Sequence, residues 1–312
     1  MTFDDYLLEL FYLVDTELEA LKSELGLPRL RSRGPEPRLH DSEVITIELA
    51  GEFMGLDADA GIYAHFRRYH RGEFPALPRV GRTTFARQSA NLWRVRQLLN
   101  ERLAARVPPA VELDPGPLWL IDGFPLRVCR AVRARASRLF AGLAAFGRDP
   151  AAAGRHCFYG FRVHLRVSDA GPVAQAQLAP AQLAPASAPD VLLAGGLAPP
   201  GGGVGVGDRN YWSPEHQRRL REGRGFELLA AFKHKTHDPR PGLAKLLGRA
   251  RQPAEVVIGQ LAGRSNAERT RARDLWHLCA RPGRKILSHT AAVPPNCRAG
   301  NPPLRLDLLL SG

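Results

Sequence analysis

Three carboxylates stand in settings where acids are costly unless they do something. Asp122 follows the apolar run Leu118-Trp119-Leu120-Ile121, and Asp208 follows Val204-Gly205-Val206-Gly207. Glu255 lies in a helix-like stretch, Ala254-Glu-Val-Val-Ile-Gly-Gln-Leu261. A carboxylate at the end of a buried strand is expensive unless it is paired or holds a cation. Like charges brought together need a cation between them, and hard oxygen ligands select Mg²⁺ or Mn²⁺. Two such ions, about 3.5–4 Å apart, activate an attacking oxygen and stabilise the leaving oxygen of an in-line displacement at phosphorus. Each acid also has a plainer reading. Asp122-Gly123 is a turn dipeptide, Asp208 is placed to cap a turn, and Glu255 is placed as a surface helix residue.

For the aspartates to meet, the strands that carry them must be adjacent and parallel, so that both emerge at one sheet edge. Residues 118–121 read as a buried strand, and 126–132 as its continuation or an antiparallel partner. Residues 159–167 alternate apolar with Gly160, Arg162, His164 and Arg166, the pattern of a half-buried strand. Ala170-Gly171 marks a hairpin turn, and 172–178 the returning arm. A helix over 189–197, strands over 201–207 and 226–232, and helices over 213–223, 241–263 and 265–281 complete a mixed α/β pattern. The doubled Ala-Gln-Leu-Ala-Pro at 176–185 reads as a local loop duplication.

The first hundred residues have helical periodicity instead. Thr2 and Asp5 suit a capping box on a helix to residue 24. Ser42 is placed to cap a second helix closed by Gly55, and a third covers 58–70 with Ile62, Phe66 and Tyr69 on one face. Thr83 opens a fourth to about 106, with Phe85, Leu92, Leu99 and Leu103 as its core stripe. Arg87, Asn91 and Arg94 share another face of it, the layout of a helix-turn-helix reader or of a plain solvated basic face. The prolines from 108 to 117 divide a helical region, 1–107, from an α/β domain, 108–312.

Lys+Arg number 44 against 31 Asp+Glu, a net charge of +13. Such an excess favours a polyanion through counterion release, although Arg-rich drift with Ala, Gly and Pro accounts for part of it. Arg264, Arg269, Arg271, Arg273, Arg281, Arg284 and Lys285 crowd the C-terminal part, placed to position phosphates, with Trp276, Leu278 and Leu287 on the buried side. Cys129, Cys157, Cys279 and Cys297 form no CxxC pair and read as reduced core thiols. No apolar run is long enough to span a membrane, and the acidic N-terminus lacks a signal-peptide pattern, so the expected location is cytoplasmic. Gly203-Val-Gly-Val-Gly207 ends a strand instead of opening a helix, which excludes the dinucleotide and P-loop readings. His234 and His237 lie in a basic loop without metal-ligand spacing.

The ordered set of segments resembles the DDE transposases of bacterial insertion sequences, specifically the insertion-sequence-982 family. The matching pieces are Leu-Ile-Asp-Gly-Phe-Pro-Leu at 120–126, Phe-Tyr-Gly-Phe-Arg-Val-His-Leu at 158–165 and Gly-Asp-Arg-Asn-Tyr at 207–211. Ala-Glu-Val-Val-Ile-Gly-Gln-Leu at 254–261, Arg-Ala-Arg-Asp-Leu-Trp-His-Leu at 271–278, Arg-Lys-Ile-Leu-Ser-His-Thr at 284–290 and Asn-Pro-Pro-Leu at 301–304 follow in order. The resemblance implies a ribonuclease H-like mixed sheet flanked by helices, an all-helical N-terminal DNA-binding region and two Mg²⁺ (or Mn²⁺) ions. It implies Asp122, Asp208 and Glu255 as catalytic metal ligands. Related transposases carry an Arg four residues before the Glu, which Arg251 matches. Gly248 stands where their Tyr is usual, and Ala262 where a Lys or Arg follows, with Arg264 the nearest basic substitute.

The expected activity is metal-dependent strand cleavage at inverted-repeat ends followed by strand transfer into target DNA. The expected partners are double-stranded DNA and further copies of the chain, as a homodimer or higher oligomer. Arg87, Asn91, Arg94, Arg162, His164, Arg251 and Arg264 are the candidate DNA contacts. Rival readings are an inactive or recruited transposase-derived DNA-binding protein, and a metal-dependent nuclease without strand transfer.

Overall fold

The computed structural model describes residues 1–30, 34–148, 157–176, 184–185, 190–234, 238–269 and 271–310. Helix α1 (Phe3–Glu24) opens with the expected capping box between Thr2 and Asp5 and buries Leu7, Leu10, Val14 and Leu18. Helix α2 (Asp41–Phe53) is capped by His40, whose backbone N–H donates to Glu43 at 2.7 Å; Ser42 is buried inside the first turn instead. Helix α3 (Asp59–Tyr69) buries Ile62, Tyr63 and Phe66, while Tyr69 is exposed. Tyr63, one residue after Ile62, widens the inward stripe on the side away from Tyr69.

The helix expected from Thr83 is two helices, α4 (Arg82–Asn91) and α5 (Trp93–Ala105), with Gly81 at the first cap. Leu92 marks the break: its N–H bonds Ser89 O, tightening the turn, while its side chain stays in the core.

A short β1 (Glu112–Leu113) leads to β2 (Gly116–Arg130), which runs unbroken through both expected pieces. Asp122 therefore lies inside a long strand, not at its end. A single turn, α6 (Ala131–Ala134), follows, then β3 (Ala145–Arg148) and β4 (Cys157–Ser168). Strand β4 pairs antiparallel with β2 from Trp119↔Ser168 to Arg130↔Phe158. Strands β5 (Val173–Ala176) and β6 (Ala184–Pro185) lie along β4. The duplicated pentapeptide falls almost wholly outside the described residues, as do Lys235 and His237.

Helix α7 (Asp190–Leu197) precedes β7 (Gly203–Gly207); α8 (Pro214–Arg224) links it to β8 (Phe226–Ala230). The sheet order is β3-β4-β2-β7-β8, with β2, β7 and β8 parallel as expected. Strand β4 departs from the half-buried expectation. Val163 and Leu165 pack with Val257 and Leu261 on one face, and His164, on the other, meets Tyr211. Helices cover both sides of it.

The expected helix over 241–263 divides into α9 (Pro241–Ala250) and α10 (Gln252–Gly263), with Arg251 between them. Pro253 cannot donate to the preceding turn, so it opens a new helix. The last helix, α11 (Leu275–Arg298), starts ten residues later than expected, where Asp274 accepts from His277 N–H, and runs on through Pro282, Pro294 and Pro295. Trp276 on it is exposed, while Leu278 and Leu287 are buried as expected. The core of the N-terminal helices is completed from the far end of the chain by Leu287, Ala291, Val293, Leu306 and Leu309. No helix among the described residues is long and apolar enough to cross a membrane. The cysteines are free, but only Cys279 is buried and Cys157 is exposed.

Two of the basic residues expected to face phosphate, Arg284 and Lys285, are inside this helical core. Arg284 reaches Glu48 at 2.9 Å, Glu52 at 2.7 Å and Asp59 at 2.5 Å. Lys285 bonds Glu52 at 2.8 Å and Ser265 O at 2.6 Å, and Arg96 closes on Glu48 and Ser89. Burial opposes the charge on Arg284, but Glu52, Glu48 and Asp59 hold it above its ordinary range. Burial likewise opposes the charge on Asp59, yet Arg284 and Arg281 bring its carboxyl down to about 2. Three acids thus meet three buried cations, with the partly exposed Arg281 also on Asp59 at 3.3 Å, joining α2, α3, α5 and α11.

Removing one member strands its partners in low dielectric. Arg284→Met should lower unfolding stability by about 3–5 kcal/mol, read by urea denaturation. A loss under about 1 kcal/mol, the range of surface pairs, would show that the network is not structural.

Candidate active site

The β2–β7 ladder pairs Leu118↔Val204, Trp119↔Gly205 and Leu120↔Val206. Continued by two residues, that register sets Asp122 level with Asp208 on neighbouring strands. Side chains two apart share a sheet face, so both acids stand on the face where Leu120 and Val206 join Ala254 and Val257 of α10 in one apolar cluster. Glycines occupy the other face of β7. A Cβ at Gly205 would lie 2.3 Å from the Phe226 ring, and one at Gly207 2.8 Å from Tyr211. Bare backbone there lets both rings close against the strand that delivers Asp208.

Asp122 is mostly buried, its Oδ1 accepting from Gly123 N–H at 2.8 Å and its Oδ2 from Arg251 Nη2 at 2.6 Å. The same Arg251 nitrogen stands 3.8 Å from Glu255 Oε1, one turn on, and the Glu255 side chain is 57% exposed. Asp208 accepts from Asn210 twice, backbone N–H to Oδ1 at 2.8 Å and Nδ2 to Oδ2 at 3.0 Å. It therefore caps the following turn and faces Asp122 at once. The plain and the chemical readings of Asp208 hold together.

Burial, then the charge of Asp122, pushes the Asp208 carboxyl above the usual carboxylate range, against Asn210, Arg251 and Arg162. For Arg251, burial opposes the charge, but Asp122, Asp208 and Glu255 raise it above its ordinary value. Asp122 and Glu255 thus share one guanidinium, Asp208 adds its charge nearby, and the three acids carry excess negative charge. The three acids form no mutual cluster within 4.8 Å among the described residues. Their all-oxygen donor set suits a hard divalent cation, with Glu255 the exposed and movable member.

The other expected residues scatter. Arg162 is half-buried and near enough to weigh on Asp208. His164 is fully buried, its Nδ1 and the Tyr211 hydroxyl 2.7 Å apart. It positions Tyr211 and offers DNA no surface, because β4 is covered on both sides. Arg264 is exposed at the end of α10 with its guanidinium 4.3 Å from the Phe53 ring centroid, on the helical layer. Arg87, Asn91 and Arg94 are all exposed, but the break at Leu92 separates the last from the first two. Arg87 and Asn91 line a cavity of about 870 Å³ with Arg38, Arg79 and Thr84. Arg94 instead bonds Gln97 at 2.6 Å.

Asn210 was missed as a residue that fixes an acid, although its spacing from Asp208 is a turn signal. Arg209 was missed too; it donates to Phe232 O at 2.7 Å and ties the turn to the segment after β8.

A family model described as a transposase DDE domain matches residues 115–275, a span that contains Asp122, Asp208, Arg251 and Glu255. No curated protein and no solved structure matches the chain.

His164 gives the site region a pH signature. Burial first, then Arg162, lowers its pKa from 6.5 to about 3. The unfolded chain takes up this proton below about 6.5 while the folded chain refuses it until about 3. Its stabilising contribution is complete above that window and is lost as pH falls through it, by at most about 1.4 kcal/mol per pH unit. Melting temperatures taken from pH 7 to 4 should fall less steeply for His164→Gln than for the native chain. Equal slopes would contradict the assignment.

Proposed function

The chain belongs to the transposase DDE-domain family, and on that premise we propose that it cuts DNA strands at the inverted-repeat ends of its element and joins them to target DNA. The reading extends to a ribonuclease H-like core of the insertion-sequence-982 type, with the sheet order β3-β4-β2-β7-β8 in its support. Asp122, Asp208 and Glu255 are the residues that would hold a pair of divalent cations, Mg²⁺ or Mn²⁺. The observation that carries this is the level placement of Asp122 and Asp208 across β2 and β7, with Arg251 gathering Asp122 and Glu255.

When bound, the cations supply Lewis acidity toward the scissile phosphate and a nucleophile activated at neutral pH. The chain does the rest. Asn210 and Gly123 N–H orient the two aspartates by hydrogen bonds. Arg251 offsets their repulsion and offers its guanidinium to a phosphate once the acids have another cation. Val206 and Leu120 keep water from beneath the carboxylates.

DNA is the partner, held by phosphate contacts from Arg162, Arg251 and Arg264 and read, where it is read, by Arg87, Asn91 and Arg94. Helices α1 to α5 would form the DNA-binding region of residues 1–107, and 108–312 the catalytic domain, with α11 returning to brace the first. The active form would be a dimer or higher oligomer on paired ends, in the cytoplasm.

Asp122→Asn keeps the size of the side chain and removes its charge. Strand cutting in Mg²⁺ should fall by two orders of magnitude or more, above the roughly 10–100-fold cost of losing a mere supporting partner. Binding to the same end DNA, with its salt dependence, should be unchanged. Native-rate cutting by this variant would refute the assignment. Cutting by the native protein without joined products would select a nuclease, and binding without cutting an inactive descendant.

A further inference from the structure

Far from the sheet edge, Asp4, His70 and Glu73 converge at the junction of α1 with the end of α3. Their ligand atoms all lie within 4.8 Å of one another, the one such His/Cys/Asp/Glu group among the described residues. Asp4 sits in the first turn of α1, His70 caps the C-terminus of α3, and Glu73 follows in the next turn. The two carboxylates are exposed, but His70 is only 8% exposed. Its Nδ1 is buried without a hydrogen-bond partner and stands 3.8 Å from Glu73 Oε2.

A buried ring nitrogen without a partner is costly, so its orientation needs a reason. The ring cannot easily turn away. Phe66 lies 4.9 Å from it, Phe3 5.5 Å and His65 5.6 Å, centroid to centroid. An immobilised imidazole with an idle Nδ1 beside Glu73, and Asp4 within the same 4.8 Å group, is the donor set of a divalent transition-metal site. Donors around an ion at about 2.0–2.2 Å stand closer together than here. Rotation of the exposed Asp4 and Glu73 side chains closes that difference without moving the backbone.

We propose that Asp4, His70 and Glu73 bind one divalent transition ion, Zn²⁺ or a similar nitrogen-accepting metal, with water completing its coordination. The imidazole sets this site apart from the all-oxygen sheet-edge acids, which suit Mg²⁺. The ion would clamp the N-terminus of α1 to the end of α3 and stiffen the face of the helical layer nearest the chain start. The site does not depend on the proposed function, because none of its residues touches the sheet-edge acids.

Co²⁺ is the probe, titrated into the full chain carrying Asp122→Asn and Asp208→Asn so that the sheet-edge acids do not compete. The expected result is one equivalent bound, a visible absorption band of nitrogen–oxygen ligation and a higher melting temperature. Adding Glu73→Gln, an exposed change that leaves the fold intact, should weaken binding at least tenfold and erase the band. It should leave the metal-free melting temperature unchanged. His70→Gln should do the same to the band. Unaltered Co²⁺ binding by the Glu73→Gln chain, a thiolate-type band from the cysteines, or no binding by the parent would each overturn the proposal.

Discussion

The guanidinium of Arg251 makes the sheet edge tenable. Parallel pairing of β2 with β7 brings two carboxylates level on adjacent strands, where inter-strand spacing is under about 5 Å. Burial first, and then repulsion from Asp122, lifts the Asp208 carboxyl above its usual range. Arg251 reaches Asp122 at 2.6 Å and Glu255 at 3.8 Å and lessens the charge without cancelling it. Its position follows from the break between α9 and α10, which Pro253 enforces. Arg251 is the shared cap there, its N–H donating to Leu247 O at 3.2 Å and its carbonyl accepting from Glu255 N–H at 3.2 Å.

The same physics governs the helical layer, with a different outcome. There Glu48, Glu52 and Asp59 meet Arg96, Arg284 and Lys285 in equal number, and all but Asp59 are almost fully buried. With Arg281 also on Asp59, every acid there is met by cations, and the network locks the layer. Unbalanced charges at an accessible edge attract a cation. The contrast between a closed network and an open one separates the helical-core acids from the sheet-edge acids in this chain, although both kinds are partnered by arginine.

The sequence made the strands legible because apolar alternation and buried runs have a short period, and the order of β2, β7 and β8 followed from the segments between them. It misplaced details that depend on tertiary partners. Asp122 reads as a strand end because an apolar run precedes it and Asp122-Gly123 is a turn dipeptide, yet β4 pairs on past it to Arg130. His164 looked exposed by alternation, because nothing local reveals that α7 and Tyr211 cover that face of the sheet. Arg284 and Lys285 looked like a phosphate surface, since a run of basic residues carries no sign that acids 230 positions earlier await them. Arg251 was singled out through resemblance to related proteins, but its bond to Asp122 is a property of the folded edge alone.

On the proposed function, Asp122, Asp208 and Glu255 would face one shared cation site. Ferrous iron bound in place of Mg²⁺, with ascorbate and peroxide, generates hydroxyl radicals that cut the backbone beside the metal. The expected fragments end near residues 122, 208 and 255 together and vanish as Mg²⁺ is added. Cuts near only one of these segments, or cuts indifferent to Mg²⁺, would contradict a shared site.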